Sequence, residues 1–138
     1  MKKLTTGLLV IFLCIVGCSA SFEPELTRMD VQKTSEEGQN NGEEKIIASN
    51  ERLKKIQQAF GKVKWSPNTK AEMARKEDIV ATFFIQEEKK MPERLYHYRI
   101  WFEGETATII SDNENEGYGR LTDKVQVDVL ESELLAGE

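Results

Sequence analysis

Apolar and polar positions alternate most regularly over residues 95–102. The even positions Tyr96, Tyr98, Ile100 and Phe102 fall on one face, and His97, Arg99 and Trp101 on the other. A period of two marks a half-buried strand, so the even face is expected to turn to the core. Residues 79–86, rich in β-branched and aromatic side chains, predict a second strand. Glu103-Gly104 reads as a hairpin turn into a paired strand at 106–111. Residues 112–117 read as a polar turn and 118–121 as a short last strand, while 62–65 alternates and stops at Ser66-Pro67. Residues 68–78 stay open between a loop and a single helical turn.

Helical spacing flanks these strands. Leu53, Ile56 and Phe60 recur on one face after a cap at Ser49 or Asn50, with Gly61 as a stop. Val127, Leu130 and Leu134 do the same after Thr122 or Asp123, ending at Gly137. Short links between strands require antiparallel pairing. The expected fold is therefore α+β: an antiparallel sheet of three to five strands, with an N-terminal and a C-terminal helix packed on one face.

Before residue 45 the pattern changes. Residues 18–44 hold seven acids and two bases, and few large apolar side chains. Such a composition buries too little to order itself. It is expected to be a flexible acidic linker, with a brief helix over 26–31 as the weaker alternative, and 45–138 is the folded domain. Residues 1–17 differ again: Met1-Lys2-Lys3 is positive, and 8–16 is an apolar run too short to span a ~30 Å hydrocarbon core. This is the form of a signal peptide.

That run ends in Ile15-Val16-Gly17-Cys18, which resembles the bacterial lipobox. The resemblance implies cleavage between Gly17 and Cys18 and a diacylglyceryl thioether on Cys18. Cys14 is a rival acceptor, but Leu13 before it is too bulky for the cleavage site. Two acyl chains hold a protein firmly on a bilayer where one binds marginally. The expected location is the extracytoplasmic face of the cell membrane. The soluble part is similar to small lipoproteins and membrane-anchored proteins of Bacillus-type bacteria. The residues that carry this are Leu53 to Phe60 with Trp65, Tyr98-Arg99-Ile100-Trp101-Phe102-Glu103-Gly104, Tyr118-Gly119-Arg120-Leu121 and Leu134-Leu135. That resemblance implies fold and location and brings no activity with it.

Charge and cysteine usage narrow the chemistry. Both cysteines lie in the first 18 residues, so the soluble part holds no disulfide, thiol nucleophile or cysteine metal ligand. Without the leader the chain has 17 bases and 24 acids, net −7, which argues against a nucleic-acid partner. Lys54, Lys55, Lys62, Lys64, Lys70, Arg75 and Lys76 make the front of the domain basic, whereas 103–138 holds ten acids and two bases. A basic face of this kind can rest on anionic lipid or wall polymer.

His97 is the only histidine, no G-x-S-x-G is present, and one histidine is too few for zinc. With Arg99 and Trp101 it forms a candidate contact surface. Trp101 would either stack on a sugar or peptide or lie under residues 68–78. Asp112, Glu114, Glu116 and Asp123, with Gly117, have the spacing of a calcium loop. Their other reading is a solvated hairpin turn. The expected function is a non-enzymatic, lipid-anchored extracytoplasmic module that binds an envelope protein or polymer. The alternative is a calcium-dependent structural module of the envelope, calcium being the one cofactor considered.

Overall fold

A computed structural model describes residues 23–35 and 44–136. The elements are β1 (Glu25–Lys33), β2 (Lys45–Ile47), α1 (Asn50–Phe60), β3 (Lys64–Ser66), β4 (Ile79–Gln86), β5 (Arg94–Glu103), β6 (Thr106–Ser111), β7 (Tyr118–Leu121) and α2 (Lys124–Leu135). The strands form one seven-stranded sheet in the order β2-β1-β4-β5-β6-β7-β3, with every neighbouring pair antiparallel. Among the described residues no helix is long and apolar enough to cross a membrane.

The sheet is larger than the three to five strands expected, because β1 and β2 lie in or beside the stretch read as linker. β1 escapes a period-two reading for a definite reason. Its pairing with β4 runs Leu26↔Ile85 and then Arg28↔Phe84, so Thr27 is an extra residue, a β-bulge. The bulge resets the alternation and puts Leu26, Met29 and Val31 all inward, at 3%, 0% and 1% exposure. Asp30 is also buried, and Arg28 binds its carboxylate through both Nε and Nη2, at 2.6 and 2.8 Å. The flexible linker and the short helix are both corrected over this span. Gly17, Cys18 and residues 36–43 lie outside the described residues.

One core joins the inward sheet residues to both helices. Leu53, Ile56 and Ala59 of α1 meet Val127, Leu130 and Leu134 of α2, over Ile79, Ala81, Phe83, Tyr98, Ile100, Ala107, Ile109 and Leu121. Phe60 wedges between Phe83 and Tyr98, with ring centroids 4.6 and 5.1 Å away. Tyr98 and Ile100 are fully inside, whereas Tyr96 and Phe102 are half-buried at its margin. Asp123 caps α2 by accepting from the Gln126 N–H at 3.2 Å. Gly119 lets β3 close on β7: a Cβ there would lie 2.5 Å from Val63 and 2.6 Å from Trp65.

Candidate functional site

Both helices cover the inner face of the sheet, so the outer face is left to its own side chains. Cross-strand register arranges these in rows. One row runs Arg28, Phe84, Leu95; another runs Gln32, Val80, Arg99, Ile110, Tyr118. Leu95 is 49% exposed, and Val80, Phe84, Ile110 and Tyr118 are half-buried. The face is thus apolar with cations set into it. Arg28 is paired with Asp30, and Arg120 with Glu103 at 3.0 Å. Arg99 is exposed and has no carboxylate partner among the described residues; its guanidinium lies 5.4 Å from the centre of the Trp101 ring.

Of the two places expected for Trp101, it takes the one under residues 68–78 and is not an exposed contact residue. It is 1% exposed, and its Nε1–H donates to the Arg75 carbonyl at 2.9 Å. The segment over it is held by a latch. Arg75 donates to both oxygens of Asp78, at 2.7 and 3.0 Å, and to the Phe102 carbonyl at 2.9 Å. Asp78 also accepts from the Phe102 N–H at 2.7 Å. Partial burial works against the Asp78 charge, but the Arg75 and Phe102 hydrogen bonds outweigh it and hold this carboxyl below its usual range. A shallow groove of about 710 Å³ remains beside the latch, lined by Met73, Arg75, Glu77, Arg99, Trp101 and Ile110.

His97 and Arg99 do remain exposed on the outer face. His97 Nδ1 lies 2.8 Å from the Asp112 carboxylate, whose other oxygen accepts from the His97 backbone N–H at 2.8 Å. This orients the imidazole. The expected calcium loop is not assembled. Asp112 faces outward to His97, whereas Glu116 turns inward and accepts from the Tyr98 hydroxyl at 2.7 Å and Ser111 Oγ at 3.2 Å. Burial first, and then the Glu116 carboxylate, push the Tyr98 hydroxyl well above its usual range, so it stays a donor. Asp123 is committed to its helix cap, and Glu114 is exposed in the turn. Among the described residues no three His, Cys, Asp or Glu side chains are grouped to hold a metal.

Leu95, Phe84 and Ile110 belong to the open face but were not singled out by sequence. Alternation places Leu95 opposite the core, yet only the register sets Phe84 and Ile110 beside it and Arg99.

No family model matches the chain, and no curated protein is similar to it. Its fold is similar to that of a crystal structure described as a thioesterase-like protein from Clostridium sporogenes ATCC 15579. The TM-score is 0.53 and the identity 16%, over 81% of this chain and 96% of that one. The expectation that the chain is not an enzyme is overturned by this likeness, because the fold is one on which a thioesterase-like protein is built. At 16% identity the likeness shows the fold alone.

Proposed function

We propose that the chain is a lipoprotein on the outer face of a bacterial cell membrane, anchored through Cys18, whose open sheet face binds an envelope protein. The observation that carries the reading is Arg99, a cation with no carboxylate partner among the described residues, set between Val80 and Ile110 on the sheet face opposite α1 and α2. Arginine amid apolar and aromatic side chains is the composition of protein interfaces. A partner with an acidic group ringed by apolar surface fits it.

The anchor rests on the lipobox of Ile15, Val16, Gly17 and Cys18. The test is a pull-down from solubilised membranes with the native lipoprotein as bait. Arg99→Glu should lose the partner and keep the melting temperature, since surface changes usually stay within about 0.5 kcal/mol. Retention of the same partner by Arg99→Glu would remove the face from the account. Cell-wall polymer in place of protein in the eluate would reassign the partner. Cys18→Ala should block both acylation and cleavage.

The fold favours a second reading, hydrolysis of a thioester. In this reading His97, oriented by Asp112, takes a proton from a water attacking the acyl carbonyl as the thiolate leaves. Turnover of acyl thioesters by the purified protein, lost in His97→Ala, would support it. No turnover across short and long acyl chains would dismiss it.

A further inference from the structure

The start of β1 limits how far from the bilayer one end of an anchored domain can lie. β1 begins at Glu25, so residues 19–24, six in all, separate it from Cys18. Seven Cα steps reach about 25 Å at most, at ~3.6 Å each. The nine residues of β1 at ~3.3 Å each span about as much. The tether is therefore no longer than the sheet is tall, and the end of the sheet where β1 starts stays near the bilayer.

Register identifies what else lies at that end. Glu25 pairs with Gln86, the last residue of β4, and Arg94 opens β5 opposite Ile85. The β4–β5 loop, residues 87–93, projects from the same end, and Met91 at its tip is 57% exposed. Lys89, Lys90 and Pro92 flank it and are exposed. The acids at the base are engaged: Glu87 accepts from the Tyr96 hydroxyl and pairs with Arg94, and Glu93 accepts from the Thr27 hydroxyl. At the tip two lysines outnumber Glu88. Glu23 and Glu25 are exposed at the same end, so the attraction is local to the tip.

We infer that the β4–β5 loop docks on the phospholipid surface that holds the anchor, with Met91 at the headgroup level and Lys89 and Lys90 on lipid phosphates. This rests on acylation of Cys18. The β5–β6 turn, at Gly104 and Glu105, then points away from the bilayer, as does the groove beside Trp101.

Removal of the leader leaves Cys18 as the sole cysteine, so one introduced thiol can be labelled alone. The native lipoprotein, purified from membranes, is placed in phosphatidylglycerol-containing vesicles that carry a headgroup-level lipid quencher. A fluorophore is attached at Met91→Cys or at Glu105→Cys. Strong quenching at 91 and little at 105 is the expected result, and Lys89→Glu with Lys90→Glu should reduce it. Equal quenching at the two positions, or quenching at 91 unchanged by the lysine substitutions, overturns the docking. Mass spectrometry of the Cys18 peptide separates the two levels. A diacylglyceryl group with equal quenching sinks the docking alone, whereas its absence sinks the anchor and the docking with it.

Discussion

Deleting β1 should unfold the protein. A chain beginning at Lys45 loses Leu26, Met29 and Val31, each at least 97% buried. Full burial of such a side chain stabilises by about 1.5–3 kcal/mol, so the three together contribute about 5–9 kcal/mol. Domain stability is typically about 5–15 kcal/mol, so the loss consumes most or all of it. Two further costs fall on the same cut. β2 loses β1, the strand with which it is paired, and β4 becomes an open edge along the eight positions where β1 paired with it. A single substitution grades the effect: Met29→Ala should cost about 2–5 kcal/mol. At roughly 4–8 °C per kcal/mol for a domain near this size, the melting temperature should fall by about 8 °C or more. The assay is thermal unfolding by circular dichroism, with a chain beginning at Ser19 as reference. Equal melting temperatures for the chains starting at Ser19 and Lys45 would refute the placement of β1 in the core.

Trp101→Ala should destabilise by about 3–5 kcal/mol in the same assay, as removal of a buried tryptophan does; a change under about 0.5 kcal/mol would return Trp101 to the surface. The depressed Asp78 carboxyl makes the latch sensitive to acid. Its contribution is fully present above the unfolded value near 3.8 and is lost as pH falls through the lower folded value. Asp78→Asn should therefore flatten the acid limb of the stability–pH curve, and an unchanged limb would remove Asp78 from the latch. Calcium and chelator should both leave the melting temperature unmoved, because Asp112 and Glu116 face opposite sides of the sheet; a calcium-dependent rise would restore the metal loop.

The strand at β5 is legible because its alternation is uninterrupted, and Tyr98 and Ile100 lie where the even face puts them. β1 is hidden for the opposite reason. Its bulge sets Leu26 and Met29 three apart, a spacing that matches no strand, and its outward positions carry charge. Alternation also gives the face of Trp101 but not its cover. Residues 71–77 have no period of their own; the local Arg75–Asp78 pairing is joined there by the Trp101 Nε1–H and the Phe102 carbonyl, contacts far apart in sequence. The acidic turn shows the limit of spacing as evidence. Its carboxylates are correctly spaced for a loop of ligands, but hairpin register gives Asp112 to His97 and Glu116 to Tyr98. The open face consists of cross-strand neighbours, and only the register assembles it.

The most direct test of the binding face is photo-crosslinking in living cells. A photoreactive residue is placed either at Leu95, 49% exposed on the open face, or at Val125, 67% exposed on α2. The expected result is a discrete protein adduct from position 95, lost in Arg99→Glu, and none from position 125. No adduct at 95, or the same adduct from both positions, would contradict it.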